Sequence, residues 1–450
     1  MIIDEDQMLI RAFFFAMNAG MNLLRVIFVL ALSVPASRAA ELDPLLDDAR
    51  LWQSDATSIA SQHRDLQIAW VSSDHQSAKI IGTNTLFEMP VVDAVMQMNG
   101  DKPTEISLVL YDRGDSGEIP RERFVALVSN AQQRIGASAA GKPVPATDQL
   151  KTTGVRRDGL TWTNATTSTR LLWSYSTKDA TGHFAFRPEY VKVQIAPLGA
   201  HQNSTAAAAA TVSTASLKTK IKHDAGGDVL LTGVPMVDQG EKGYCAVATA
   251  ERVMRFYGMD IDQHELAQLA ASSAQGGTDP RTMLEALRRA GIKLGCKVKV
   301  LQDFSVQEFV HFIDRYNQAA RKKRLAEIKL GNEIDIAAIY GKMDTAILRD
   351  IRTKPPAGMK TFLADITKNV DQAIPVLWGV QLGKVAEKPA LPKQTVGGHL
   401  RLIIGYNPKT SEILYTDSWG PGHELKRMAL DDAWTITCSL YLIEPRHTVL

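Results

Sequence analysis

Between residues 201 and 222 the chain reads HQNSTAAAAATVSTASLKTKIK, and nothing in that stretch can build a core. Its small and polar side chains bury too little apolar surface to offset the entropy of ordering the backbone. The segment reads as a linker spanning 198–226, which divides the chain into residues 40–197 and 227–450. Two domains suit a chain of 450 residues. Few contacts are expected to cross such a linker, so residues 223–450 are expected to fold alone.

A second segment is set apart at the N-terminus. Met21-Asn22-Leu23-Leu24-Arg25 is a short basic stretch, Val26 to Val34 is an apolar run, and PASRAA follows with small Ser37 and Ala39. That order is the pattern of an export signal cleaved after Ala39, so residues 1–39 are expected to be removed. The preceding MIIDEDQ is acidic, unlike a signal, and points to Met21 as the true start. Read from Ala12 to Val34, the same region is long enough to anchor the chain in a membrane, but Asn18, Asn22 and Arg25 interrupt it. The expectation is a secreted or periplasmic protein with no stable membrane span after cleavage, and a membrane anchor is the alternative.

Net charge is +2, which gives no support to nucleic acid as a partner. Three cysteines cannot form a disulfide framework, and no Cys/His cluster has metal-site spacing, so neither a metal nor a cofactor is expected. Residues 40–197 carry strand-like runs at 67–73, 105–112 and 190–197 and an amphipathic helix from Arg121 to Ile135, hence an α+β domain without a motif. Asn164-Ala165-Thr166 and Asn203-Ser204-Thr205 have the form of glycosylation sequons, which a Thr/Ala-rich stretch produces by chance.

The C-terminal part holds the chemistry. Helices are expected at Ala246–Tyr257, with Ala246, Val247, Ala250, Val253, Met254 and Tyr257 on one face, and at 262–271 and 279–290. A charged helical insertion is expected at about 303–370, with RKKR at 321–324 as a solvated face. Strands follow at 374–380, 399–406, 412–417 and 439–445. Helices first and an antiparallel sheet afterwards is an α+β arrangement.

Cys245 follows a Gly243-Tyr244 turn and starts the most strongly periodic helix. A thiol at a helix N-terminus sits in the positive end of the macrodipole, beside unpaired N–H groups that favour thiolate and can hold an oxyanion. Six residues earlier, Gln239 offers a neutral side-chain donor for the same oxyanion. His399, after Gly397-Gly398, supplies a base, and Gly398 lets a substrate backbone approach it. Asp417, in Asp417-Ser418-Trp419-Gly420, can fix the imidazole tautomer, with Trp419 shielding that contact from water. Cys296 and Cys438 lie near strands and are left open as two buried thiols or one disulfide. His264, on a polar helix face, and His423, in a turn, read as surface residues.

These four motifs in this order resemble the papain-like cysteine peptidases, in particular the bacterial branch similar to bacteriocin-leader (double-glycine) processing peptidases. The resemblance covers about 210 residues, under half the chain. It implies a papain-like fold, with a helical lobe carrying the nucleophile and an antiparallel sheet carrying His and Asp, preceded by the separate α+β domain. It also implies catalytic Cys245, His399, Asp417 and Gln239, with Gly243, Gly398 and Trp419 along the substrate path. A protein or peptide would be the substrate, cleaved through a thioester acyl-enzyme. Lys-Gly-Tyr-Cys-Ala around the nucleophile and Asp at the third position depart from papain itself, which has Cys-Gly-Ser-Cys-Trp and Asn. Acyl transfer to an amine would use the same residues. A non-catalytic assembly module retaining the fold is the rival, and the intact set of four argues against it.

Exported material should begin at or near Ala40. N-terminal sequencing checks this, and intact residues 21–39 in membrane-extracted protein would establish the anchor instead.

Overall fold

A computed structural model describes residues 39–445 apart from 64, 139–140, 147–154, 179–183, 201–213, 241–242, 260–262, 270–284, 286–287, 289–295, 304, 332–335 and 391–396. The expected signal segment up to residue 38, residues 201–213 of the linker, the Asn203 sequon and all but two residues of the helix expected at 279–290 lie outside the described residues. The described residues belong to one compact unit. Among them no helix is long and apolar enough to cross a membrane. The arrangement is α+β, built on two eight-stranded sheets.

The N-terminal sheet contains β1 (Gln67–Trp70), β2 (Ser77–Ile81), β3 (Asp93–Asn99), β4 (Lys102–Asp112), β5 (Val144–Pro145), β6 (Val155–Thr163), β7 (Thr167–Lys178) and β8 (Phe184–Pro197). Its order is β1-β2-β3-β4-β8-β7-β6-β5, antiparallel throughout. Helix α1 (Arg121–Ser138) buries Phe124, Val128, Ala131 and Ile135, an apolar stripe recurring every three or four residues. These side chains join one core with Ile106, Leu108, Val191, Val193 and Ile195 from the sheet.

The C-terminal sheet contains β9 (Ile221–His223), β10 (Val229–Leu231), β11 (Cys296–Gln302), β12 (Val376–Leu382), β13 (Gly397–Asn407), β14 (Glu412–Thr416), β15 (Lys426–Ala429) and β16 (Thr437–Pro445). Its main order is β9-β10-β13-β12-β16-β11, with β14 pairing β13 and β15. Every residue of β12 is buried, because strands flank it on both edges and helices cover the sheet. Helix α2 (Cys245–Phe256) packs here, and it is buried nearly all round: besides the expected apolar face, Thr249, Glu251 and Arg252 are enclosed. Helix α3 (Gln263–Leu269) follows. The charged stretch after β11 is helical: α4 (Val306–Lys322), α5 (Ile336–Lys342), α6 (Thr345–Thr353) and α7 (Pro356–Val370). Ser305 and Glu308 form a capping box at the start of α4. Arg321, Lys322, Lys323 and Arg324 are exposed.

Contacts do cross between the two parts, and they are polar. Tyr244 Oη donates to Asp112 Oδ1 at 3.2 Å, and His264 Nδ1 lies 2.9 Å from Asp112 Oδ2. Lys79 Nζ lies 3.2 Å from Asp238 Oδ2, and Lys192 Nζ 3.2 Å from Glu265 Oε1. Ser174 Oγ meets Gln268 Oε1 at 2.6 Å, and the backbone N–H of Ser73 donates to Glu424 Oε1 at 2.9 Å. Most of these groups are buried, so each polar atom there needs its partner.

Candidate active site

Strand register brings the chemical residues together. On β13 and β14, Leu402 faces Thr416. One step further puts Asp417 opposite Arg401, and His399 lies two residues before Arg401 on the same face of β13. His399 Nε2 and Arg401 Nε therefore converge on one carboxylate oxygen, Asp417 Oδ1, at 3.3 and 2.7 Å. The His399 contact has ion-pair distance but lies off the hydrogen-bonding line, a looseness common in sites without a ligand.

With Nε2 turned to Asp417, Nδ1 is the nitrogen available to Cys245, and the imidazole lies close enough to the thiol for each to shift the other's titration. Cys245 is the first residue of α2, with Tyr244 as its N-cap. Burial pushes the thiol up, but His399 and then the backbone N–H groups of Leu400 and Ala246 more than offset this, and Cys245 titrates below the ordinary thiol range. His399 moves the opposite way: burial pulls it down, while Asp417 and Cys245 outweigh that and raise it. Both directions favour the thiolate–imidazolium pair.

Trp419 stacks on the His399 ring, with centroids 4.2 Å apart and planes 11° from parallel. It is delivered by the turn at 417–423, whose Gly420 and Gly422 sit at φ 73° and 81°, conformations that favour glycine. In that turn the Asp417 N–H donates to the His423 carbonyl at 3.1 Å, and the Ser418 carbonyl accepts the N–H of Gln239 at 2.9 Å. Gln239, buried at 2% exposure, is thereby fixed to the loop that carries Asp417. Gly243 is half-buried beside the nucleophile helix, and Gly398 is exposed next to His399.

The surroundings of Asp417 contain groups the sequence reading missed. Lys426 Nζ donates to Asp417 Oδ2 at 3.1 Å and to Glu387 Oε2 at 2.8 Å. Arg401 Nη2 donates to both Glu387 oxygens at 2.9 and 3.0 Å, and Tyr415 Oη adds 2.7 Å to Glu387 Oε2. Burial raises Asp417, but Arg401, His399 and His423 hold it well below the usual carboxylate range. Arg252 of α2 donates to the Asp417 carbonyl at 2.7 Å, to Thr416 Oγ1 at 2.6 Å and to the Pro235 carbonyl at 2.7 Å. The one available signal was Arg401 inside an apolar strand, at the same parity as His399.

Two readings are corrected. His264 is 6% exposed and faces Asp112, because its helix packs on the N-terminal sheet rather than on solvent. His423 is 8% exposed, with Nδ1 3.5 Å from Asp417 Oδ2, because the glycine turn folds it under Trp419. All three cysteines are free thiols. Burial pushes Cys438 up to about 11. Among the described residues no group of His, Cys, Asp and Glu could hold a metal ion.

Residues 231–440 match the model of the Peptidase_C39 like family. No curated protein matches. Among solved structures, the chain is similar to the crystal structure of xylellain, a cysteine protease from Xylella fastidiosa, at 11% identity and a TM-score of 0.27, over 51% of this chain and 88% of that one. That structural likeness is too slight to carry an argument. The matched part of this chain is a papain-like cysteine peptidase domain.

Brief iodoacetamide treatment should modify Cys245 well before Cys296 and Cys438. With its thiol lowered, Cys245 should react with a pH midpoint below the value of about 8.5 for a free thiol, whereas Cys438 should need pH near 11. Mass spectrometry of the labelled peptides reads the order, and preferential labelling of Cys438 would contradict it.

Proposed function

We propose that the chain is an exported peptidase that hydrolyses peptide or isopeptide bonds in proteins or peptides through a thioester acyl-enzyme, with Cys245, His399, Asp417 and Gln239 as its catalytic residues. The Cys245 thiolate attacks the scissile carbonyl while its proton resides on His399. The carbonyl oxygen takes up the negative charge and accepts hydrogen bonds from the Cys245 N–H and the Gln239 amide. His399 gives its proton to the departing amine, leaving the acyl group on sulfur. Water, losing a proton to His399, then attacks the thioester, and the acid is released with the thiolate restored. Asp417 keeps Nε2 of the ring engaged throughout, so that Nδ1 faces the sulfur.

The observation that carries this reading is the juxtaposition of Cys245, at a helix start, with His399, whose Nε2 lies 3.3 Å from a buried, ionised Asp417. The export part rests on the signal-like order of residues 21–39.

Incubation with a denatured protein mixture, followed by sequencing of new peptide termini, should give cleavage with the wild type and none with Cys245→Ala. Gln239→Ala should retain cleavage at a rate lower by about 10²–10³-fold. Cleavage by Cys245→Ala at the wild-type rate would refute the assignment.

Asp417→Asn separates orientation from charge. Asn still offers the ring an acceptor, but it removes a carboxylate that Arg401 and Lys426 share. Breaking a buried pair in this way costs about 3–5 kcal/mol. Urea unfolding should show a loss of that order, and an unchanged midpoint would mean that the charge contributes nothing.

A further inference from the structure

We propose that Lys79 and Asp112 of the N-terminal sheet are positioning residues for the peptidase reaction, acting through Asp238 and Tyr244, the residues immediately before Gln239 and Cys245. The inference rests on the reading of Cys245 as nucleophile and Gln239 as oxyanion donor, and it gives residues 40–197 a part in that chemistry.

Tyr244 is the N-cap of α2, yet its side chain does not cap the helix. Instead the side chain, buried at 1% exposure as part of the peptidase core, reaches to the N-terminal sheet, with Oη donating to Asp112 Oδ1 at 3.2 Å. Asp112, itself 2% exposed, is held on its other oxygen by His264 Nδ1 at 2.9 Å. The N-terminal sheet is shaped for this entry. A Cβ on Gly114 would stand 2.0 Å from Tyr244 Oη and 2.4 Å from its Cζ, so only glycine admits the ring. Desolvation and the Asp112 charge both push the Tyr244 phenol upward, so it stays a donor.

Lys79 acts on the other flank. Its Nζ lies 3.3 Å from Asp93 Oδ1 and 3.2 Å from Asp238 Oδ2. Burial works against its charge, but Asp93 and Asp238 outweigh that and keep it cationic. Asp238 in turn accepts the N–H of Gly240 on Oδ1 at 3.0 Å, so its carboxylate braces the backbone on the far side of Gln239. Two anchors on one sheet thus hold the residue before the thiol and the residue before the oxyanion donor. Misplacement of a reacting group by about 1 Å can lower a rate on the order of 10²-fold, so anchors one residue away have leverage on the reaction. The other buried contacts across this interface, such as Ser174 with Gln268, hold α3 and do not adjoin either residue.

The test uses the full chain and measures the Cys245 alkylation rate by iodoacetamide across pH, beside the kcat and KM of peptide cleavage. Asp112→Ala and Tyr244→Phe should each lower the plateau alkylation rate by about 10-fold or more and reduce kcat with little change in KM. The double variant should be no worse than the poorer single one, since both remove one contact. Gly114→Ala should reproduce the loss. Lys79→Met should reduce kcat, and Lys79→Arg should restore most of it. Ser174→Ala, at the interface but away from the site, should match the wild type in the alkylation profile. Wild-type alkylation and kcat in folded Tyr244→Phe and Lys79→Met overturn the proposal, as do losses that multiply in the Asp112/Tyr244 double variant. Tyr244→Phe removes a single oxygen and decides the matter should Asp112→Ala fail to fold. If Cys245 in the wild type is not the fast-reacting thiol, the nucleophile reading itself fails. Fast wild-type labelling with unaffected variants sinks only the positioning role.

Discussion

Asp417 is the anion on which the peptidase half of the molecule closes. It is fully buried, and the idealised penalty for burying such an ion is of order 20 kcal/mol, several kcal/mol in a relaxed protein. The structure answers with two cations and a second carboxylate: Arg401 and Lys426 lie between Asp417 and Glu387, so the four formal charges cancel. Aromatic faces complete the enclosure, with the Arg401 guanidinium 4.9 Å from the Tyr415 ring and 5.8 Å from that of Trp378. A cluster balanced this way has little freedom to move, because any displaced member leaves a buried charge alone. His399 inherits that rigidity through Asp417, and α2 inherits it through Arg252, whose three hydrogen bonds end on Pro235, Thr416 and Asp417.

The same rigidity explains why two cysteines of one chain behave as different chemical species. Cys245 and Cys438 are both half-buried, and burial alone raises a thiol. Cys438 has Arg352 to oppose burial, and that is not enough. Cys245 has the His399 imidazole beside it and backbone N–H groups around it at a helix start, and these reverse the sign. Burial is common to both, so what separates them is a base held in place by a fixed carboxylate. Trp419 adds to this by covering one face of the imidazole and keeping water from its contact with Asp417.

Residues whose chemistry is written locally were legible in the sequence. Cys245 opens a helix whose apolar face repeats with the helical period, and His399 and Asp417 sit at the ends of strands with clear strand composition. Arg401 and Lys426, on strands, and Glu387, in a loop, were not legible, because a charged residue in either reads as a solvated position until its partners are known. Those partners lie 9 to 39 residues away, on other elements. Much of the N-terminal sheet was missed for a related reason. Strands 155–163 and 167–178 are rich in Thr, Ser and Arg and resemble loops in composition, and they become strands by pairing with each other and with 184–197. His264 and His423 were misread because exposure depends on what packs against an element, which a helical or turn pattern does not reveal.

Within the expected linker, Leu217 is buried in the C-terminal core and Ile221–His223 pairs into the C-terminal sheet, and the parts the linker joins meet. What meets is polar: Asp112 with Tyr244 and His264, Lys79 with Asp238, Lys192 with Glu265. Buried ion pairs of this sort gain little net stability over apolar packing, because desolvation cancels most of the attraction. They are strict about geometry, since a shift of an ångström leaves a donor or acceptor without its partner. An apolar contact of equal area would hold the sheets together while allowing them to slide. A polar one fixes which residue of one sheet stands against which residue of the other. For an interface whose members adjoin Gln239 and Cys245, that strictness transmits position, and position is what a thiol, an imidazole and an oxyanion donor must share to act on one carbonyl.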